Sequence, residues 1–418
     1  MFKNILHSLF TKGLVAVINF FILIVSSRYL GVSSRGEISI FILNIAIIQI
    51  VNEIYTGYSL VYFIPKFNIK KLYILGLIYT LIFCSLSNVV VVFLDKQVPG
   101  YGWLGYIVSL LIIVNTFNCV LILGKEKVKV YNFLNLIQPL LLLIGLGFSL
   151  IVLKEFTFNA YIFPLLFSFV IAFLFSTFIV LNFDFKLSSQ KTFDLKPIVI
   201  NGLLCQAAVL MHIFCNRYSY YLLPSTAKVG LYSSASSLIE SVLIIANGIS
   251  PVLLARVANT GNTVRSSEMT LSLSKASLLF SFFAVLIFFL LPEDFFLYLL
   301  GNGYVGIKRL MMLYSPGILM VSFFGIISHY FSALGKLKLI LICNSFGFVI
   351  SLIAAPILIK KYDMDGAAYT VNLAYVAVAI AICVAFFITN KLKFMRLISF
   401  KNDIKNLKEL VASKTDHL

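Results

Sequence analysis

The chain is dominated by apolar stretches of about twenty residues or more that are separated by short polar connections. A helix needs about twenty apolar residues to cross a bilayer, where its own hydrogen bonds satisfy the backbone. Hydrophobic residues make up 61% of the 418 residues and charged residues only 12%, whereas a water-soluble domain carries about 25% charged residues. We therefore predict an integral membrane protein. This class excludes a soluble core, a secreted scaffold and a nucleic-acid-binding domain.

About twelve stretches are long and apolar enough to cross the membrane. They lie near 9–30, 37–63, 72–94, 103–123, 131–153, 159–182, 198–222, 229–255, 272–291, 310–334, 338–359 and 366–389. Placing the N-terminus in the cytoplasm puts most of the 33 Lys and Arg residues on the inner side, in agreement with the positive-inside rule. We expect an all-α polytopic protein with both termini in the cytoplasm. The net charge of +17 is then mostly a result of topology.

Short motifs recur in the same order in the two halves of the chain. Gly13-Leu14 and Arg28-Tyr29 in the first span recur as Gly202-Leu203 and Arg217-Tyr218 in the seventh, at the same spacing. The fourth and tenth spans both close on Leu-Gly-Lys. Such repeats are typical of transporters built from two related halves. We predict an N-terminal lobe at 1–186 and a C-terminal lobe at 187–390, related by a pseudo-two-fold axis along the membrane normal. The basic tail at 391–418 is expected to form a cytoplasmic helix near anionic lipid.

Arg217, Glu240 and Glu53 lie deep within predicted spans, where a charge costs a few kcal/mol and is a functional candidate. Arg217 lies about 10 Å deep in the seventh span, and a guanidinium binds oxyanions such as a diphosphate bidentately. A structural pairing of Arg217 is the alternative. Glu240 lies near the midplane, where a carboxylate is either paired or protonated, and Glu53 lies deeper still on the second span. Glu240 and Glu53 are candidates for ion coupling.

Other polar residues are candidates for substrate binding. Lys12 and Arg28 lie near opposite ends of the first span, and each could instead anchor the helix at the interface. Asn118 and Asn135 offer hydrogen bonds to a sugar, although Asn side chains also fasten helices together in lipid.

The connections between spans carry few features of an enzyme. The outer connections are short, and the longest, 292–309, contains an apolar run at 295–300 that predicts a short interfacial helix. The inner connections contain no Gly-rich phosphate loop, and the six cysteines lie in apolar segments without a C-x-x-C pair. We therefore expect no catalytic residues, no cofactor and no metal site.

Several motifs give the chain a family resemblance. These are Arg28-Tyr29-Leu30-Gly31 with Arg35-Gly36-Glu37, Val229-Gly230-Leu231-Tyr232-Ser233, Leu300-Gly301-Asn302-Gly303-Tyr304, Ala333-Leu334-Gly335-Lys336, and Lys360-Lys361-Tyr362 with Gly366-Ala367-Ala368. They cover nearly the whole chain. The sequence resembles the multidrug/oligosaccharidyl-lipid/polysaccharide (MOP) exporters, and within them the Wzx-type O-antigen and capsule flippases.

The resemblance implies two six-helix lobes that alternate access. Its implied substrate is an undecaprenyl-diphosphate-linked oligosaccharide, moved from the inner to the outer leaflet of a bacterial cytoplasmic membrane. The implied surroundings are membrane lipids and a glycan polymerase or chain-length machinery, with the flippase as a monomer and no nucleic acid involved.

Two other functions remain open at the level of the sequence. A drug or organic-cation antiporter of the same superfamily would need carboxylates in the first-lobe cavity, whereas spans one and seven contain no acid and each carries arginine. An integral-membrane glycan polymerase or transferase would need an outer catalytic surface, against which the short outer connections argue.

Overall fold

The computed structural model describes residues 2–57, 60–61, 63–64, 68–183, 195–244, 246, 248, 263–392, 396 and 403. Within these ranges the regular structure is entirely helical, as predicted. The α-helices are α1 (Phe2–Thr56), α2 (Ile69–Phe93), α3 (Gly102–Gly124), α4 (Val128–Ile151), α5 (Asn159–Leu181), α6 (Lys196–Arg217), α7 (Thr226–Glu240), α8 (Thr263–Leu290), α9 (Glu293–Leu300), α10 (Ile307–Ala333) and α11 (Leu337–Asn390). Short 3₁₀ turns lie at Tyr218–Tyr221, Ser241–Leu243 and Asn302–Tyr304.

Two of these helices are too long to be single spans. At 1.5 Å per residue, the 55 residues of α1 and the 54 residues of α11 extend about 80 Å each, against a hydrocarbon core of about 30 Å. Each contains one non-helical residue, Gly31 with φ 78° in α1 and Asp363 with φ 55° in α11. Both breaks fall in predicted connections, 31–36 and 360–365. Gly31 suits its position because glycine adopts positive φ without a side-chain clash.

The number of spans follows from length and composition in the described part of the chain. Nine of its helices are long and apolar enough to cross a membrane, and α1 and α11 are the two that contain a break. The predicted eighth span, 229–255, begins in α7, but 249–255 lies outside the described residues. The count of twelve therefore stays a prediction.

The described residues pack into two compact units. The first consists of Met1–Leu210, Leu223–Ser234 and Phe296–Val305, and the second of Met211–Leu222, Ala235–Phe295 and Gly306–Leu418. The lobe boundary predicted at 186/187 stays a prediction, as does the tail at 391–418, of which the structure describes 391, 392, 396 and 403.

In the first unit, α1 packs against α3, α4 and α5. Its buried residues Ile38, Phe41 and Ile45 meet Val108 of α3 and Leu146 of α4 in one apolar cluster. Because successive inward residues recur every three or four positions, one helical face supplies this core.

The first unit also contains a close crossing between α1 and α7. A Cβ atom built on Gly36 would lie 1.8 Å from the carbonyl oxygen of Thr226, and one built on Gly230 would lie 1.8 Å from that of Val32. The buried Ser39 donates a hydrogen bond of 2.8 Å to Ser233 one turn further on. Only glycine permits backbones to approach this closely.

In the second unit, α10 packs against α8 and α11. Pro316 lies within α10, where a proline disrupts the helical hydrogen bonds. Asn372 of α11 compensates nearby, because it accepts a 2.8 Å hydrogen bond from the Gly317 amide and donates one of 2.6 Å to the Leu313 carbonyl. The backbone groups of α10 next to the proline thus bind the helix to its neighbour α11.

Large apolar side chains also cover the outside of the helices. Phe93, Phe178 and Leu290 are exposed by 87%, 69% and 76%, and many others are similar. A water-soluble protein rarely exposes apolar surface on this scale, whereas acyl chains solvate it well. The exposed faces fit a multi-pass membrane protein.

Candidate substrate and coupling site

Arg217 and Glu240 form an ion pair in the second unit. Arg217 is the last residue of α6 and Glu240 the last of α7, and the guanidinium Nη2 lies 2.8 Å from the carboxylate Oε2. The two side chains are 28% and 20% exposed. The pair satisfies each charge within an apolar bundle, where either charge alone would be costly.

Two further side chains hold the second oxygen of the Glu240 carboxylate. Asn216 donates a hydrogen bond of 2.8 Å to Oε1, and the Tyr314 hydroxyl of α10 lies 3.2 Å from the same atom. Tyr314 also hydrogen-bonds to the amide oxygen of Asn216. Three helical segments therefore converge on one carboxylate.

The other amino group of Arg217 is equally engaged. Its Nη1 donates a 2.6 Å hydrogen bond to the hydroxyl of Tyr220, whose ring centre lies 5.3 Å from the guanidinium carbon. The Tyr220 hydroxyl in turn lies 3.1 Å from that of buried Ser236. The guanidinium is held in a defined orientation by a carboxylate and an aromatic ring. We call these six residues, Asn216, Arg217, Tyr220, Ser236, Glu240 and Tyr314, the arginine cluster.

Glu53 lies in the first unit and has different partners. Its Oε1 accepts a 2.7 Å hydrogen bond from Gln49, one turn earlier on α1, and its Oε2 accepts one of 3.3 Å from Gln206 of α6. Among the described residues, Glu53 has no ion pair. The two predicted coupling carboxylates therefore differ: Glu240 has a cationic partner, and Glu53 has neutral amide donors.

The two predicted asparagines belong to the first unit and are not members of the arginine cluster. Asn118 is fully buried and donates hydrogen bonds of 3.0 Å each to Ser176 and Thr177, which fastens α3 to α5. Asn135 is exposed and donates to the carbonyl of Tyr131 in its own helix. Contact of either side chain with a sugar stays a prediction.

The two predicted basic residues of the first span also lie in the first unit. Arg28 is exposed, and its guanidinium bonds to the carbonyl of Tyr298 and stacks 5.2 Å from the centre of that ring. Tyr298 belongs to α9, the short helix predicted at 295–300. Arg28 thus has the contacts of an anchor between α1 and α9. Lys12 is exposed on α1.

Sequence reasoning did not identify several partners of the site. Gln49 could have been found, because it lies four residues before Glu53 and therefore on the same helical face. Asn216 adjoins Arg217 and was a detectable polar residue in an apolar stretch. Tyr314 approaches from α10, almost a hundred residues away in the chain, and no local pattern predicts that contact.

Comparisons with known proteins place this fold. No family profile matches the sequence, and no curated protein matches it at a significant level. Among solved structures, an inward-facing multidrug resistance MATE family transporter of the MOP superfamily has a TM-score of 0.69 at 17% identity, over 90% of this chain and 94% of that one. The lipid II flippase MurJ in an inward closed conformation gives 0.63 at 13% identity, over 100% and 93%.

A third solved structure is the MATE multidrug transporter DinF-BH, with a TM-score of 0.66 at 15% identity over 94% and 96% of the two chains. These neighbours are transporters and a flippase rather than enzymes. The chain has the two-lobed, all-helical fold of MOP-superfamily transporters.

Proposed function

We propose that this protein is a flippase that moves a polyprenyl-diphosphate-linked oligosaccharide across the bacterial cytoplasmic membrane by alternating access. The observation that carries the proposal is the guanidinium of Arg217, held inside the bundle by Glu240 at 2.8 Å. A diphosphate also offers oxygen acceptors that a guanidinium binds bidentately, with more charge than a carboxylate, and would compete for Arg217.

The same ion pair supplies a route to ion coupling. When a diphosphate binds Arg217, Glu240 loses its cationic partner in a poorly solvated site, and a proton could then neutralise the carboxylate. Proton uptake by Glu240 would then accompany substrate binding. The hydrogen bonds from Asn216 and Tyr314 would hold the carboxylate in place during the exchange.

A second candidate function is ion-coupled antiport of drugs or organic cations. Glu53 favours it, because this carboxylate within α1 has amide partners and no ion pair among the described residues. A cationic drug binds such a group more readily than an anion does. The DinF-BH neighbour is a multidrug transporter, so the fold is compatible with drug transport as well as with lipid flipping.

The proposed setting follows from the charge distribution. Both termini lie in the cytoplasm, because the basic connections then face inward. The proposed partners are the lipid-linked glycan, the surrounding lipids and the polymerase or chain-length machinery that uses the exported glycan, with the protein as a monomer.

Substitution of Arg217 tests the proposal in cells. Arg217→Ala and Arg217→Glu should abolish glycan export in a complementation assay at normal protein level. Arg217→Lys should retain part of it, because the charge survives and the bidentate fork does not. Arg309→Lys is the matched control, since Arg309 is 71% exposed in its pair with Asp365. Full export by the Glu variant would rule out anion contact at Arg217.

A further inference from the structure

A second buried ion pair lies in the second unit, away from the arginine cluster in sequence. It joins Lys275 of α8 to Asp403 of the tail, with Lys275 Nζ 2.9 Å from Asp403 Oδ2. The two side chains are 7% and 8% exposed. The pair is thus more deeply buried than the Arg217–Glu240 pair.

Three further groups contact this pair. Ser272, one turn before Lys275, donates a 2.7 Å hydrogen bond to the other carboxylate oxygen of Asp403. The Lys275 ammonium also donates a 2.8 Å hydrogen bond to the carbonyl oxygen of Arg396. The guanidinium Nη2 of Arg396 lies 3.5 Å from Asp403 Oδ1. The Asp403 carboxylate therefore sits among an ammonium, a hydroxyl and a guanidinium, which together form an oxyanion site.

The position of Lys275 along α8 favours this arrangement. Lys275 lies about 18 Å along the helix from Thr263, at the end of its polar first half and before its apolar second half. A buried ammonium without a counter-charge is costly. One counter-charge comes from Asp403, which lies beyond the end of α11 at Asn390.

We propose that the C-terminal tail is a tethered ligand of α8, with Asp403 occupying the oxyanion site formed by Lys275, Ser272 and Arg396. Asp403 then acts as a strap that fixes its part of the chain to α8. This role is independent of the transported substrate, because it uses none of the residues of the arginine cluster.

The test is a double-substitution cycle in the purified full-length protein. Two quantities are measured for each variant: the melting temperature in detergent, and the rate of hydrogen–deuterium exchange in peptides that cover Asp403. Asp403→Asn removes the carboxylate charge from beside the buried Lys275 ammonium, so the melting temperature falls. Exchange near residue 403 accelerates by about a hundredfold, since loss of one partner of a buried ion pair is strongly destabilising.

Combining Lys275→Met with Asp403→Asn shows whether the ion pair or apolar packing holds Asp403 against α8. The double variant should recover part of the melting temperature, because the buried Lys275 ammonium is gone. Its exchange near residue 403 should stay fast, because no ion pair holds the tail. Asp365→Asn is the matched control in an exposed pair and should change neither quantity much.

Wild-type exchange near residue 403 in the Asp403→Asn variant would overturn the proposal. So would a double variant that melts no higher than Asp403→Asn.

Discussion

At the scale of single residues, the environment of a carboxylate decides what it can do. Glu240 is balanced by Arg217 at 2.8 Å and has two further polar partners, whereas Glu53 receives hydrogen bonds from Gln49 and Gln206. A cationic partner favours the charged form of a carboxylate, and neutral amide donors compensate the charge less fully. This difference assigns substrate-dependent coupling to Glu240 in the flippase account, and a cation-binding role to Glu53 in the antiporter account.

Glu240→Gln tests the coupling role, because glutamine mimics the protonated carboxylate. Substrate binding should be retained, since Arg217 stays available, and turnover driven by a pH gradient should be lost. Binding of a lipid-linked glycan and its flipping in proteoliposomes are the two measurements. A Gln variant that responds to the gradient as strongly as the wild type would eliminate coupling through Glu240.

The same variant also separates coupling from a purely structural role. Glutamine leaves the Arg217 guanidinium without a counter-charge, and breaking a buried pair costs about 3–5 kcal/mol, with less expected at sites as exposed as these. A loss of folded protein would support the structural alternative. Arg217→Gln combined with Glu240→Gln removes both charges and should then restore folding without restoring transport.

At the scale of helices, the crossing of α1 and α7 is the contact with the least tolerance. Gly36 and Gly230 face each other so closely that either Cβ would overlap a carbonyl oxygen. The hydrogen bond from Ser39 to Ser233 is a second contact between α1 and α7. Any side chain at Gly36 must therefore separate the two helices.

Gly36→Leu should open this crossing. Ser39→Cys with Ser233→Cys should form a disulfide on oxidation, because the two hydroxyl oxygens lie 2.8 Å apart. Adding Gly36→Leu should remove most of that disulfide, as measured by mass spectrometry of peptides. The matched control is Gly147→Leu in α4, which has open space where the Cβ would lie. Equal crosslinking with and without Gly36→Leu would show that the helices do not need this close approach.

Helix positions were predictable from the sequence because they depend on local composition, whereas contacts were not. The breaks at Gly31 and Asp363 fall in predicted connections, and α9 coincides with the predicted interfacial helix. The repeat-related glycines Gly13 and Gly202 show the limit. A Cβ on Gly13 would meet nothing, and one on Gly202 would lie 1.7 Å from the Ile54 carbonyl.

At the scale of the whole molecule, the all-helical, two-lobed fold class was predictable from the apolar length of the spans and from the internal repeat. The ion pair between Arg217 and Glu240 was foreseeable as a hypothesis, because both charges lie on adjacent predicted spans. The return of the tail to Lys275 was not, since it depends on tertiary packing of a polar segment. Lys275 itself was a detectable charge within a predicted span, 272–291.

Reporter fusions test the overall topology. Fusions after Lys66, Lys125, Lys196, Lys336 and Leu418 should all report a cytoplasmic position, because the inner connections carry the excess of basic residues. Fusions after Gly100 and Glu155 should report the outer side and serve as the opposite control. An outer signal at any of the first five positions would break the predicted topology.

The most direct measurement is transport by the purified protein in proteoliposomes. Two substrates are compared: a fluorescent polyprenyl-diphosphate-linked oligosaccharide and a cationic dye. The account predicts that the wild-type protein flips the lipid-linked glycan, that Arg217→Gln does not, and that Arg309→Gln does. Transport of the dye without flipping of the glycan would contradict the account and identify a cation exporter.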